Sequence, residues 1–149
     1  MQAVIFIGVQ ASGKSTFYAH QFFKSHVRLN LDMLRTRHRE QLLLNACLEA
    51  KQPFVIDNTN PTVEDRIRYI VPAHLHRFSV IGYYFQSSAK VALERNANRT
   101  GTEYVPEKAL LGTYKRLQLP TFDEGFDQLF YVSVGENNTF VVQEWQHEL

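Results

Sequence analysis

Residues 8–15 read GVQASGKS, and the fold turns on whether this stretch is a glycine-rich turn or a cradle for phosphate. It matches G-x-x-x-x-G-K-[ST]: Gly8 and Gly13 let backbone N–H groups curl round an anion, and the following helix directs its positive end at the same point. The context fits. Upstream, AVIFI (3–7) is a short β-branched run of buried-strand type, and downstream KSTFYAHQFFKSH (14–26) reads as helix. Gly8, Ser12, Gly13, Lys14, Ser15 and Thr16 are therefore expected to hold a nucleoside triphosphate, with Lys14 on the β and γ phosphates and the Ser15 hydroxyl on Mg²⁺.

The pattern continues outward as alternating strands and helices. VRLN (27–30) reads as a strand, DMLRTRHREQLLLNACLEA (32–50) as one long helix, and PFVID (53–57) as a strand closed by NTNP, with Pro61 at the first helical position. Then come helix 62–73, strand SVIGYYF (79–85), helix AKVALERNANR (89–99), helix 106–117, the loop QLPTFDEGF (118–126), and strands 129–134 and 139–145. Such alternation implies crossover units and a mostly parallel sheet with helices on both faces; taken with the GVQASGKS loop, the expected class is α/β of P-loop NTPase type, similar to adenylate kinase.

At 149 residues, without repeat, low-complexity tract or linker-like stretch, residues 1–149 are expected to form a single domain. With 16 Lys+Arg against 15 Asp+Glu, the net charge of +1 supplies no chain-wide field, so any contact with a polyanion must be local. One cysteine, Cys47, excludes an internal disulfide and a multi-cysteine metal site; its spacing from Leu43 and Leu44 suggests core packing. The six histidines are scattered without HExxH. The N-terminus lacks a basic leader, and no apolar run approaches the roughly 20 residues a bilayer requires. A soluble, cytoplasmic protein is expected, with no membrane partner.

Ligands in open parallel sheets bind beyond the carboxyl ends of the strands. Here three expected strands end at polar residues: the GVQASGKS loop, then Asn30 and Asp32, then Asp57, Asn58, Thr59 and Asn60. Asp32 has two readings, a base that takes the proton of an attacking hydroxyl or a helix N-cap. Arg35, three residues on and on the same helical side, suits a phosphate of the acceptor, and Asn58 is a further acceptor-side candidate. Asp57 after Phe54-Val55-Ile56 is Walker B-like and able to reach Mg²⁺ through water, or else a strand-end carboxylate in an Asx turn with Asn58. Arg95 and Arg99, four apart on one helix, suit either a lid over the phosphates or a solvated face.

Five segments in order, GVQASGKSTF, LNLDMLR, FVIDNTNP, ERNANR and LPTFDEGF, resemble the kinase domain of the polynucleotide 5′-kinase family of end-healing enzymes. The first is shared by countless NTPases; FVIDNTNP followed by LPTFDEGF is more particular. The resemblance implies ATP and Mg²⁺ handled by Lys14, Ser15 and Thr16, Asp32 as general base for a 5′-OH end of DNA or RNA, Arg35 on the neighbouring phosphate, and Arg95 and Arg99 as catalytic lid arginines. Leu31 departs from it, standing where relatives often have arginine. No DxDGT phosphatase motif and no ligase module is present, so the kinase step alone is implied. Two other functions fit the residues: a small-molecule kinase and a non-catalytic ATP-binding switch module.

Overall fold

The computed structural model describes residues 1–146 other than 87, 136 and 138. In chain order the elements are β1 (Gln2–Ile7), α1 (Lys14–Gln21), β2 (Val27–Leu29), α2 (Leu31–Leu34), α3 (Arg37–Ala50), β3 (Phe54–Ile56), α4 (Val63–Leu75), β4 (Ser79–Phe85), α5 (Ala89–Ala97), α6 (Glu107–Arg116), β5 (Gln128–Val134) and β6 (Phe140–Glu144). The sheet order is β2-β3-β1-β4-β5-β6, parallel from β2 through β5 and finished by antiparallel β6. This is the expected α/β P-loop NTPase architecture.

β1 lies at the centre, and its residues Ala3 to Ile7 are completely buried. Alternation sends Ala3, Ile5 and Ile7 into one layer with Leu44 and Leu48 of α3 and Tyr69 and Ile70 of α4. Val4 and Phe6 enter the opposite layer, where Phe17 and Tyr18 of α1 meet Phe22 and Phe85. Helices on both faces leave the loop after β1 at the sheet's carboxyl edge, beside the loops after β2 and β3.

All five expected helices have different bounds, and three of the differences follow from local contacts. The stretch 32–50 is two helices: Arg35 takes φ 77, and Thr36 is extended and restarts the chain as α3, its hydroxyl accepting the Arg39 amide at 3.1 Å. Helix α1 stops at Gln21, where the amides of Ser25 and His26 turn back onto the Phe22 carbonyl. Helix α4 begins at Val63 rather than at Pro61, because Thr62 and Asp65 form a reciprocal capping box.

Arg66 of α4 is fully buried. Its guanidinium forks onto the Glu124 carboxylate at 2.7 and 3.2 Å and donates to the carbonyls of Gln118 and Asn60 at 2.9 and 3.2 Å. It thus joins the loop after β3 to the segment after α6. Truncation strands a buried carboxylate, so Arg66→Ala is expected to cost about 3–5 kcal/mol, read as a lower urea midpoint with an unchanged m-value. Ile67→Ala, on the exposed side of the same helix, should stay within about 1 kcal/mol.

Candidate active site

The loop after β1 is shaped by close approach. A Cβ on Gly8 would lie 3.0 Å from both Phe85 Cβ and Ser12 Oγ, so a side chain there would fill the space where the backbone must pass. Gly13, at φ 98, turns the chain into α1. The Gly8 amide donates to the Thr59 carbonyl at 2.9 Å, which pins the loop to the one after β3.

Lys14 folds back into this loop and is buried. Its ammonium donates to the carbonyls of Gly8 and Val9 at 2.9 and 2.7 Å and to Ser12 Oγ at 3.3 Å. Burial pulls its pKa down from 10.5 to about 8; the charges of Asp57 and Asp32 oppose the fall and that of Arg99 adds to it. Three charged side chains from separate parts of the chain thus act on the Lys14 ammonium.

Asp57, at the end of β3, is buried. Its Oδ2 accepts from Ser15 Oγ at 2.9 Å and from Arg28 Nε at 2.8 Å, and Arg28 Nη2 reaches Ser15 Oγ at 3.0 Å. A hydroxyl and a carboxylate at the mouth of a phosphate loop are hard oxygen donors, of the kind Mg²⁺ takes alongside substrate phosphates, so the residues fit that ion. Arg28 stands in sequence as one of several basic residues near the acceptor end. Only the register Arg28 to Val55 sets it beside Asp57, two residues further along on the same face of β3.

Asp32 is exposed on the single-turn helix α2. It is not the cap: Asn30 is, its Oδ1 accepting the Met33 amide at 3.0 Å while its Nδ2 donates to the Asp57 carbonyl. Arg35 terminates α2 with a left-handed backbone and is exposed, so it leaves the helix instead of continuing its face from Asp32. Asn58 turns inward, its Oδ1 accepting the Leu31 amide at 2.9 Å and its Nδ2 donating to Glu40 Oε2 at 3.0 Å. Arg95 lies in α5 and Arg99 beyond its end. Both line a cleft of about 350 Å³ with Ala11, Gly13, Thr16, Val134 and Phe140. Among the described residues no cluster of histidine, cysteine, aspartate and glutamate suits a metal, and no helix is long and apolar enough to cross a membrane; His147 lies outside them.

Residues 4–120 match the family described as an AAA domain. The chain belongs to this family. The chain is also 33% identical over 129 residues to a Schizosaccharomyces pombe protein named bifunctional polynucleotide phosphatase/kinase, which bears out the resemblance seen in the motifs. The match takes in 84% of this chain and 32% of that protein, so the chain spans about a third of the length of its relative. Kti12 of Chaetomium thermophilum, solved with ADP-AlF3, superposes with a TM-score of 0.70 at 16% identity, covering 91% of this chain and 92% of its own. A gluconokinase from Sinorhizobium meliloti 1021 gives 0.62 at 20% identity over 91% and 83%. These two likenesses concern the fold of the AAA domain.

Lys14 carries a pH signature. Its folded pKa of about 8 lies below the unfolded 10.5, so between those values the unfolded chain holds the extra proton and stability rises with pH. In nucleotide-free protein, the unfolding free energy of wild type minus that of Lys14→Met should grow by about 3 kcal/mol from pH 7 to 10.5, measured by urea titration at each pH.

Proposed function

We propose that this AAA domain, residues 1–149 acting as one module, is an ATP-dependent kinase that transfers the γ-phosphate to the 5′-hydroxyl end of DNA or RNA. The observation that carries the reading is the exposed Asp32 carboxylate, whose charge reaches the Lys14 ammonium from the first turn of α2. Around it Arg35, Arg37, His38 and Arg39 are exposed, a local basic surface on a chain of net charge +1. The identity with a polynucleotide phosphatase/kinase supports the acceptor class, and the GVQASGKS loop supports a nucleoside triphosphate as the donor.

In this mechanism Lys14 exchanges the Gly8 and Val9 carbonyls for the β and γ phosphates, and Ser12, Gly13 and Thr16 line their path. Ser15 and Asp57 would hold Mg²⁺, which when bound neutralises phosphate charge. Asp32 takes the proton of the 5′-hydroxyl as its oxygen bonds to the γ-phosphorus; the bond to the β,γ-bridging oxygen breaks, and its electron pair leaves with ADP. Arg95 and Arg99 face the cleft where charge builds on the transferring group. Arg35 binds the first phosphate inward from the acceptor end. With so few contacts the footprint is short and the salt dependence mild. Asn58, the further acceptor-side candidate, holds the Leu31 amide at the start of α2.

The test is transfer of labelled γ-phosphate from ATP·Mg²⁺ to 5′-OH oligonucleotides, DNA and RNA in parallel. Asp32→Asn should lower kcat by about 10²–10⁴ with ATP binding retained, and Lys14→Ala should abolish transfer. Arg35→Ala should raise the acceptor KM and leave the ATP KM within about twofold. Folded, ATP-binding protein that labels no oligonucleotide would overturn the nucleic-acid acceptor and direct the search to small hydroxyl compounds, and an Asp32→Asn variant with intact function would favour a non-catalytic switch.

A further inference from the structure

Helix α2 places Asp32, yet it is four residues long and none of them is buried. A helix this short has no stability of its own, and apolar packing reaches it only at its far end, through the half-buried Leu34. Its start, where Asp32 lies, rests on amides that lack partners within the helix. Two asparagine side chains supply them: Asn30 Oδ1 takes the Met33 amide, and Asn58 Oδ1 takes the Leu31 amide at 2.9 Å.

Asn58 can do this only if its carboxamide faces one way. Behind it lies Glu40 of α3, 3% exposed. Glu40 Oε2 accepts from Asn58 Nδ2 at 3.0 Å, and Oε1 accepts from the Tyr69 hydroxyl at 3.0 Å and from Arg37 Nη1 at 2.9 Å. The Tyr69 hydroxyl in turn accepts from Arg37 Nη1 at 2.8 Å and from Asn58 Nδ2 at 3.3 Å. Burial, reinforced by the Glu40 charge, pushes the Tyr69 pKa up to about 12, so the ring keeps the proton it donates.

A carboxylate has only lone pairs to offer, so the group facing it must be the amide NH₂; the Asn58 oxygen is thereby turned toward Leu31. A neutral glutamine in the same space presents either a donor or an acceptor and removes that bias. A buried charge is costly unless fully paired, and α3 packs its leucines without needing one. We infer that Glu40 is a positioning residue: through Asn58 it fixes the start of α2 and so the place of Asp32. The effect on phosphoryl transfer rests on the proposed role of Asp32 as base; the orientation of Asn58 does not.

The test compares Glu40→Gln, Asn58→Asp and the double variant, which exchanges the polarity of the pair while keeping its total charge. In Asn58→Asp two carboxylates face each other; in the double variant the glutamine NH₂ donates to the new carboxylate, which still accepts from Leu31. Kinase assays should show kcat lowered roughly five- to tenfold in Glu40→Gln with the ATP KM unchanged, a larger loss in Asn58→Asp, and partial recovery in the double variant. Amide hydrogen exchange by NMR provides the activity-free readout: in Glu40→Gln the Leu31 amide should exchange several-fold faster while β1 amides hold their rates. Unchanged Leu31 exchange, unchanged kcat in an active enzyme, or a double variant no better than Asn58→Asp would overturn the inference. A wild type that phosphorylates no 5′-OH end, with Leu31 exchange accelerated as expected, would sink the kinase reading alone.

Discussion

Five consecutive residues, Asp57 to Pro61, hold the active end of the molecule together. Thr59 O accepts the Gly8 amide and Asn60 Nδ2 donates to Phe6 O, so the end of β1 and the first glycine of the phosphate loop are both bound to this segment. The Asp57 carboxylate takes Ser15 and Arg28, and Asn58 takes the start of α2. Arg66 and the Gln118 amide bind the carbonyls of Asn60 and Pro61. A buried loop has to satisfy its own polar groups, and this one does so by bonding to β1 and the phosphate loop, to β2, α2 and α4, and to the segment after α6. Asn60, at φ 44, accepts a left-handed backbone within that arrangement.

The two most particular stretches, FVIDNTNP and LPTFDEGF, lie far apart in sequence and meet at Arg66. Its fork onto Glu124 and its bonds to Asn60 O and Gln118 O leave little freedom in either. Gly125 completes the turn at φ 114, where a Cβ would come within 2.8 Å of Ile70. The chemistry at the loop after β3 therefore depends on a segment that touches none of the proposed reacting groups.

Charge is arranged locally. A chain of net charge +1 buries one ammonium against carbonyls at the opening of the phosphate loop, where the charges of Asp57, Arg99 and Asp32 act on it, and leaves a basic rim along residues 35–39. Lys14 and Asp57 are kept from water in that opening, where fixed charges act more strongly than at the surface.

The sequence by itself determined the strands, the phosphate loop and the mostly parallel character of the sheet, because these follow from local periodicity and from glycine and lysine spacing; the strand order and the antiparallel edge came only with the fold. Strand alternation is carried by residues such as Val4 and Phe6 whatever they later touch. The break inside 32–50 was not legible, since neither glycine nor proline marks it; Arg35 bends and Thr36 caps only in the fold. The cap on α2 belongs to Asn30 rather than Asp32, a choice set by where the Asp57 carbonyl lies. Arg28 beside Asp57 and Glu40 behind Asn58 were decided by strand register and helix packing, which bring together residues 29 and 18 positions apart. Hydrogen bonds between distant residues depend on angstrom-scale placement, and that placement exists only once the hydrophobic layers have closed.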